Sequence, residues 1–271
     1  MVTILEVEKE VIDLFYKQGF VEMKGLPHNA NVVLKSGKHL VRGRARKGKH
    51  IERLYGEKTP INGILPLNGE QAFALDLLLR DDIPIVAIEG SAGCGKSILS
   101  ISTALHKRLN EQVYRKILIV KPVIPIGRDI GHLPGSKDEK LLPWMKSVAD
   151  SLEIIAKGDN SKDVIDHFMH YIEMDTIVYM RGRSLHNTFV ILDESQNLTR
   201  HEIKTVLSRL GEGSKAVVLG DLSQIDVKGL ERTQCGLHHV MERLKGEELF
   251  GSVTLLKSER SAIARLIAEK L

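Results

Sequence analysis

The stretch from Gly90 to Ser97 has the residue types and the spacing to cradle a phosphate group. Its letters, GSAGCGKS, match the pattern G-x-x-x-x-G-K-[ST]. Glycines let the backbone bend around an anion so that successive N–H groups point at its oxygens. In such a loop Lys96 reaches the β- and γ-phosphates, and the Ser97 hydroxyl binds Mg²⁺. The predicted nucleoside triphosphate site consists of Gly90, Ser91, Ala92, Gly93, Cys94, Gly95, Lys96, Ser97 and Ile98.

The sequence on both sides of this loop predicts the elements that it needs. Residues 83–88 form an apolar run of strand length, and residues 98–109 carry apolar side chains at helical spacing. A helix N-terminus adds partial positive charge at the place where the phosphates would lie. The alternative is a glycine-rich turn without a ligand. The agreement of pattern and flanks favours nucleotide binding.

A pair of carboxylates follows another apolar run. Residues 189–192 are apolar, and Asp193 and Glu194 come directly after them. An aspartate at a strand end beside the loop can hold Mg²⁺, and the next glutamate can act as general base toward the attacking water. The alternative is helix capping with charge in the first turn. Beside a P-loop, the chemical role is favoured for both residues.

Two glutamines complete the predicted site. Gln224 comes three residues after a Gly-Asp pair at a strand end, where its amide could position water near the γ-phosphate. Gln71 opens the helix before the P-loop strand, where its amide could read the edge of adenine. A structural alternative exists, because Asn68 as N-cap with Gln71 three residues later forms a capping box. Both roles of Gln71 can hold together.

The composition is that of an ordinary globular protein. The chain has 271 residues, of which 42% are hydrophobic and 27% charged, and its net charge is +4. No apolar run reaches membrane-spanning length, and the N-terminus has no signal-peptide core. One of the two cysteines, Cys94, lies within the P-loop, where a disulfide would obstruct the nucleotide. We therefore expect a cytoplasmic protein without membrane association.

Positive charge is concentrated near the N-terminus. Residues 1–60 hold 12 Lys and Arg against seven Asp and Glu, whereas residues 61–271 hold 27 against 28. The excess lies mainly between Lys35 and Arg53. A solvated strand face or loop explains most runs of this kind. A nucleic-acid-facing patch is the sharper alternative, because phosphate contacts need clustered cations.

The pattern of elements predicts two modules. Residues 1–60 form a small module with a helix over 6–18 and two strands, and a turn-rich linker follows over 56–63. Residues 61–271 alternate helix and strand, which predicts an α/β domain whose parallel sheet is covered on both faces. The strands expected in the whole chain are residues 32–34, 39–41, 83–89, 116–120, 177–180, 188–192 and 216–219. The helices expected in the second module are residues 70–80, 96–110, 138–156, 201–210 and 258–271.

Together, the segments LNGEQ, GSAGCGKS, VILDESQN and VLGDLSQID resemble the core of superfamily 1 helicases. The region from about residue 67 onward more closely resembles the PhoH family of ATPases, with family-specific similarity at residues 121–135, 180–185 and 257–261. The resemblance implies a RecA-like P-loop NTPase fold of three layers around a parallel sheet, with a small, mostly β N-terminal module. It also implies hydrolysis of ATP with Mg²⁺, in a translocase or helicase that works on single-stranded RNA.

The resemblance extends to assembly. The matching branch of the family carries a PIN ribonuclease domain before the ATPase, which 60 residues cannot supply, so we expect no intrinsic ribonuclease activity. Room for one RecA-like lobe implies a homo-oligomeric ring, expected to be a hexamer, in which a neighbour completes each site. Arg260 is the candidate arginine finger and Arg209 the second candidate, with a solvated surface arginine as the alternative. Candidates for contacts to RNA or to a neighbouring subunit, with surface charge as the alternative, are Lys121, Arg128, Arg181 and Arg183.

A second function stays open from the sequence alone. The chain could be an ATP-dependent switch that recruits a separate nuclease or another protein without moving a strand. A small-molecule kinase is a third and weaker alternative, because Asp193, Glu194 and Gln224 favour the activation of water.

Overall fold

The computed structural model of the chain describes residues 2–47, 49–122, 137–156 and 161–259, with the side chains of residues 137–144 and 161 left out. This part of the chain forms two sheets, one of five strands and one of six. The first sheet lies within residues 2–53 and the second within residues 85–255. The position of the domain boundary near residue 60 stays a prediction.

The five-stranded sheet belongs to the N-terminal module and has the strand order β1-β3-β4-β5-β2. β1 pairs with β3 in parallel, and the other pairs are antiparallel. The module consists of β1 (Val2–Glu6), α1 (Lys9–Gln18), β2 (Phe20–Glu22), β3 (Asn31–Ser36), β4 (His39–Arg46) and β5 (His50–Arg53). Ile12 and Phe15 of α1 pack into its core. The predicted helix over 6–18 is wrong at its start, because residue 6 ends an edge strand.

The six-stranded sheet is parallel throughout and has the order β11-β6-β10-β9-β7-β8. Its strands are β6 (Ile85–Gly90), β7 (Lys116–Lys121), β8 (Ile172–Thr176), β9 (Thr188–Leu192), β10 (Lys215–Gly220) and β11 (Phe250–Leu255). The helices around it are α2 (Gly69–Leu79), α3 (Lys96–Leu105), α4 (Lys137–Ala156), α5 (Ser161–Met169), α6 (Arg200–Leu207) and α7 (Gly236–Arg243). Single helical turns cover Ile177–Met180, Ser195–Asn197 and Arg232–Gln234.

Helices cover both faces of this sheet because successive residues of each strand point to opposite sides. In β9, Ile191 packs into a core formed with α2, α3 and α4, whereas Val190 and Leu192 pack into a second core with α6 and α7. The strands are therefore apolar on both sides, as buried parallel strands require. The predicted three-layer α/β fold is confirmed.

Two predicted elements of this domain need correction. Residues 177–180 form a 3₁₀ turn, and the strand precedes them at Ile172–Thr176. Among the described residues this strand pairs with β7 alone. Its Glu173 is exposed and its buried Asp175 pairs with Arg183, so the strand lacks the apolar pattern of a buried strand. The helix expected over 96–110 changes to a π-helical turn at His106–Asn110. The predicted C-terminal helix lies outside the described residues from position 260 onward.

Two arginines of the basic run lie inside the molecule. Arg42, Arg44 and Arg46 alternate along β4 and so share one face. Arg44 is fully buried, and its Nε donates to Asp76 Oδ2 of α2 at 2.6 Å. Arg46 is 9% exposed and pairs with Asp82. For Arg44 and Arg46 the expectation of a solvent-facing or nucleic-acid-facing patch is wrong, because they fasten the module to the second domain. The exposed lysines and arginines of the run are Lys38, Lys47, Lys49 and Arg53, for which both alternatives stay predictions.

In the described ranges, no helix combines the length and the apolar character that crossing a bilayer requires.

Candidate functional site

The P-loop joins β6 to α3 and depends on glycine at defined points. Gly95 has a φ of +97°, in the left-handed region that glycine adopts without strain. A Cβ at Gly95 would lie 2.8 Å from Nε2 of Gln71, and one at Gly90 would lie 2.6 Å from the carbonyl oxygen of Leu255. Side chains at these two positions would displace the loop from the strand and the helix that support it.

Lys96 begins α3, and its side chain lies back over the loop. Its ammonium group donates to the carbonyl oxygen of Gly90 and, at 3.0 Å, to that of Ser91. Cys94 is buried beneath the loop with its Sγ 3.9 Å from the Lys96 Nζ. Burial raises the pKa of the Cys94 thiol, so the thiol stays protonated near neutral pH. Lys96 thus brings positive charge to the mouth of the loop, where these two carbonyl oxygens hold its ammonium group.

Residues from three strand ends converge on one cavity of about 240 Å³. Lys96 and Ser97 follow β6, Asp193 and Glu194 follow β9, and Gln224 follows β10. All of them line the cavity, together with Ala92, Gly93, Gly95, Ile98, Gly220 and Asp221. The carboxyl ends of parallel strands meet at one edge of the sheet, which is where α/β proteins bind their ligands. The side chains predicted to act on a nucleotide are thus neighbours in space.

The Asp-Glu pair is held in place by hydrogen bonds from its backbone N–H groups and by an unusual backbone conformation. Asp193 N–H donates to the Val120 carbonyl oxygen at 3.0 Å, and Asp193 Oδ1 accepts the N–H of Glu194 at 3.0 Å. Glu194 has a φ of +53°, in the left-handed region. This conformation costs a residue with a Cβ about 1–2 kcal/mol. It turns the Glu194 side chain away from the strand direction and toward the cavity.

Gln196 organises the site although sequence reasoning missed it. Its side chain is fully buried. Its Nε2 donates to Glu194 Oε2 at 2.7 Å and to the Gln224 carbonyl oxygen at 3.0 Å, while its Oε1 accepts the Asp221 N–H at 3.1 Å. One amide thus connects the loop after β9 to the loop after β10. The signal available in the sequence was a polar residue between an Asp-Glu pair and a helix start.

The oxygen atoms in this cavity suit a magnesium ion. Mg²⁺ prefers hard oxygen ligands, and the Ser97 hydroxyl and the Asp193 carboxylate both line the cavity. Asp221 is 5% exposed and accepts the N–H and the hydroxyl of Ser223 through Oδ1. Its buried Oδ2 has no hydrogen-bond partner among the described residues. A buried carboxylate oxygen needs a cation or a donor, so these residues fit the ion.

Lys121 lies against the Asp-Glu pair and not on the surface. It is 8% exposed, and its Nζ is 2.9 Å from Asp193 Oδ2. The expected contact of Lys121 with RNA or with another subunit is therefore wrong. A cavity of about 160 Å³ beside the first one is lined by Lys121 and shares Ser97, Asp193 and Glu194 with it.

Gln71 connects α2 to the P-loop. Its backbone N–H donates to the Asn68 side chain at 2.9 Å, which confirms Asn68 as N-cap. Its Oε1 accepts the Leu67 N–H at 2.7 Å, and its Nε2 donates to the Cys94 carbonyl oxygen at 3.0 Å. Gln71 is 4% exposed. Recognition of adenine by this amide stays a prediction.

The predicted arginines have different environments. Arg260 and Arg128 lie outside the described residues. Glu259, the last described residue, donates its N–H to the Gly93 carbonyl oxygen at 3.1 Å. Arg183 pairs with Asp175 at 2.7 Å and so stabilises its own loop. The other two are Arg181, which is exposed, and Arg209, whose buried Nε has no hydrogen-bond partner in the described part of the chain.

A parallel α/β sheet with a Gly-Lys-Ser loop after one strand and an Asp-Glu pair after another defines this molecule as a P-loop NTPase with a RecA-like core. Comparison with known families gives its place within that class. The family model described as PhoH-like protein matches residues 63–270. The chain belongs to the PhoH family.

Named relatives agree with this assignment. Protein PhoH2 of Bacillus subtilis (strain 168) is 46% identical over 228 residues, which cover 83% of this chain and 52% of that protein. Protein PhoH2 of Mycolicibacterium smegmatis is 38% identical over 273 residues, covering 99% of this chain and 62% of that protein. Protein PhoH of Escherichia coli (strain K12) is 32% identical and covered to 64%. The chain thus spans between about half and two thirds of these relatives.

Similarity to solved structures is weaker. The Pif1 helicase from Candida albicans aligns with a TM-score of 0.39 and 19% identity, covering 76% of this chain and 43% of that one. The HK97 bacteriophage large terminase aligns with a TM-score of 0.40 and 11% identity, covering 79% and 45%.

Proposed function

We propose that this protein hydrolyses ATP with Mg²⁺. The observation that carries the proposal is the convergence of Lys96, Ser97, Asp193, Glu194 and Gln224 on one cavity at the carboxyl edge of the sheet. A structural turn would need the glycines but would not need two carboxylates and an ammonium group around an open cavity. Adenine as the base rests on Gln71 alone.

Each side chain has a role in the proposed reaction. Lys96 and the loop N–H groups bind and neutralise the β- and γ-phosphates. Ser97 and Asp193 would hold Mg²⁺, which when bound supplies positive charge to the phosphate oxygens. Glu194 accepts the proton of the attacking water, and the Gln224 amide orients that water. The strained backbone of Glu194 and its bond from Gln196 fix the base before substrate arrives, so less ordering is needed during the reaction.

We further propose that hydrolysis drives movement along single-stranded RNA in a cytoplasmic homo-oligomeric ring. Support for an RNA contact comes from the turn after β8, at the same edge of the sheet as the nucleotide site. Val178 is 63% exposed and Tyr179 is 54% exposed, and the exposed Arg181 follows them. An aromatic side chain can stack on a base of any type while a nearby cation contacts phosphate. Two buried free thiols suit a reducing compartment.

A different observation favours the second candidate function, the ATP-dependent switch that recruits a protein partner such as a nuclease. Arg44 and Arg46 are used inside the molecule and are not available to RNA. The N-terminal module instead exposes large apolar side chains, namely Ile4, Tyr16, Phe20 and Leu40 at 64%, 57%, 43% and 47%. These side chains lie on both edge strands, on β4 and on α1, where they are available for contacts with a protein partner.

The first experiment is steady-state release of phosphate from ATP, with and without single-stranded RNA, at low and moderate salt. The chain should release free phosphate, with Lys96→Ala as the blank. Glu194→Gln should bind ATP with near-normal affinity but turn over at least about 100-fold more slowly, because the general base is lost. Equal turnover of Glu194→Gln and the natural chain would remove Glu194 from the mechanism.

The RNA contact is tested in the same assay by a pair of tyrosines. Stimulation by RNA should weaken as salt rises, because phosphate contacts release counterions. Tyr179→Ala should reduce the affinity for RNA, whereas Tyr16→Ala, which removes a similarly exposed ring from α1, should not. Turnover that ignores RNA in every salt condition would favour the partner switch.

A further inference from the structure

Lys121 is a buried cation at the metal side of the proposed site. Its ammonium group is 2.9 Å from Asp193 Oδ2 and donates to the Ser147 hydroxyl of α4 at 3.2 Å. The other carboxylate oxygen of Asp193 accepts the Glu194 N–H. One carboxylate oxygen of Asp193 therefore accepts a hydrogen bond from its own loop, and the other contacts the positively charged ammonium of Lys121.

The sheet dictates this pairing. β7 and β9 are adjacent parallel strands, and Val120 lies opposite Leu192 in their register. The next residues along the two strands are Lys121 and Asp193. Register therefore brings the two side chains together, and no long or flexible reach is involved.

Two cations would use the same carboxylate in this arrangement. Asp193 is the carboxylate that, with Ser97, would hold Mg²⁺. Its charge is largely shielded from solvent, with 14% of the side chain exposed, and so is that of Lys121 with 10% exposed. Charges interact strongly at a few ångströms when water is largely excluded. An ammonium group 2.9 Å from this oxygen therefore weakens the binding of a divalent cation to the same carboxylate.

We propose that Lys121 competes with Mg²⁺ for Asp193 and thereby sets the Mg²⁺ requirement of nucleotide binding. This inference rests on the proposed ATP hydrolysis, whose metal site it concerns. The ammonium has a second partner, the Ser147 hydroxyl of α4, and Lys121, Ser147 and Asp193 all line the cavity of about 160 Å³ beside the nucleotide site. When Asp193 binds the metal, Lys121 keeps its hydrogen bond to Ser147. Binding of the metal therefore changes the contacts of a residue that is bonded to α4.

The test is a Mg²⁺ titration of the equilibrium affinity for a fluorescent, non-hydrolysable ATP analogue, which does not depend on turnover. Lys121→Met should lower the half-saturating Mg²⁺ concentration about tenfold, because one competing unit charge is removed. Lys121→Arg keeps the charge and should stay close to the natural value. Lys116→Met is the matched control, since it removes a lysine from the other end of β7, where the ion pair is with Glu173.

Ser147→Ala gives a prediction of opposite sign and avoids leaving a buried carboxylate without a counter-charge. Without the hydroxyl, the ammonium depends more on Asp193, so the half-saturating Mg²⁺ concentration should rise. An unchanged Mg²⁺ requirement in Lys121→Met and in Ser147→Ala would overturn the inference. If the natural chain itself binds no Mg²⁺-nucleotide, it is the proposed function that fails.

Discussion

Lys215 is a lysine with no exposed surface, placed at the start of β10. Its ammonium donates to the carbonyl oxygens of Leu77, Arg80 and Ile83 at 2.9, 2.6 and 2.7 Å. These carbonyls lie at the end of α2 and in the turn after it, where helix carbonyls lack partners. Burial lowers the pKa of Lys215 to about 7 even with these acceptors. The Lys215 ammonium thus supplies hydrogen bonds to carbonyl groups at the end of α2, but burial of its charge is unfavourable.

This cost makes a prediction about pH. Lys215 has an ordinary pKa of 10.5 in the unfolded chain and a pKa of about 7 in the fold. Between these values the unfolded chain binds the proton more tightly, so the free energy of unfolding should rise with pH by up to about 1.4 kcal/mol per unit. Below pH 7 both states are protonated and the contribution is constant.

Urea unfolding at pH 7, 8 and 9 measures this slope. Lys215→Met removes the titrating group, so its free energy of unfolding should rise less with pH than that of the natural chain. Comparison of the two slopes cancels the groups that both chains share. Parallel curves for the two proteins would show that Lys215 remains charged throughout this range.

The site residues that the sequence predicted are positioned by local backbone conformation, whereas those that it missed are positioned by contacts with distant parts of the chain. The P-loop residues act through backbone conformation over eight consecutive positions, so their pattern is visible locally. Lys121 and Gln196 act through partners 72 and 28 positions away, at Asp193 and Gln224. Their roles depend on strand register and on adjacent loops, and no spacing along the chain reports either. The sequence accordingly predicted Lys121 to contact RNA or a neighbouring subunit, with surface charge as the alternative.

Helix α2 links three parts of the molecule at the scale of elements. Its residues 71–78 are buried on all sides of the helix, the polar Gln71 and Asp76 included. Asp76, at its middle, accepts from Arg44 and Arg80 and from the Tyr55 N–H. At its start, Glu70 accepts the N–H of Leu256 at 2.6 Å. α2 thus holds the N-terminal module, the P-loop and the segment after β11 in one arrangement.

The buried ion pair on α2 predicts an asymmetry in stability. Asp76→Leu leaves Arg44 buried without its carboxylate and should lower the free energy of unfolding by about 3–5 kcal/mol. Arg42→Met, on the same face of β4, breaks an ion pair with Glu57 whose side chains are 34% and 24% exposed. That loss should stay below about 1 kcal/mol.

Urea unfolding at neutral pH compares the two variants under one condition. Nucleotide affinity should also fall in Asp76→Leu, because α2 supports the P-loop through Gln71. Similar losses of stability in both variants would contradict the buried character of the Arg44–Asp76 pair.

The elements were predictable where apolar pattern and position agreed. β9 and β10 are buried on both faces and were found within one residue of their ends. β8 was missed because it carries two carboxylates, the exposed Glu173 and the buried Asp175 that pairs with Arg183, while the apolar turn after it resembles a strand. β4 was read as too short, because three arginines at alternate positions read as a solvated face. The buried carboxylate that neutralises Arg44 lies on another element.

At the scale of the whole molecule, the nucleotide cavity lies on one lobe. The ring proposal requires that a neighbouring subunit adds a group to this cavity, with Arg260 as the candidate. Residue 259 contacts the P-loop of its own chain through Gly93. The segment that leads to Arg260 is therefore held at the nucleotide site of its own subunit, and action on a neighbour's nucleotide requires that subunits meet at this edge of the sheet.

Mixed subunits test whether Arg260 acts on a neighbour's nucleotide. Arg260→Ala and Glu194→Gln chains should each be nearly inactive, and mixing them should restore part of the ATP hydrolysis, because an intact base then meets an intact arginine across an interface. Phosphate release measured over a series of mixing ratios checks this. Absence of recovery at all ratios, with mixed assembly verified by sedimentation, would place Arg260 within its own subunit's site.

The docking of the N-terminal module has a consequence for how the protein is made. The Asn29 side chain donates to the carbonyl oxygen of Phe250, 221 residues further along the chain. A ribosome adding about 5–20 residues per second needs roughly 10–45 s to cover that distance. During this interval Asn29 and Asn31 lack the β11 carbonyl groups to which they will donate. The surface of the second domain that receives the arginines of β4 is also incomplete. The N-terminal module therefore emerges from the ribosome well before its docking surface is complete, and these contacts form only after β11 has been synthesised.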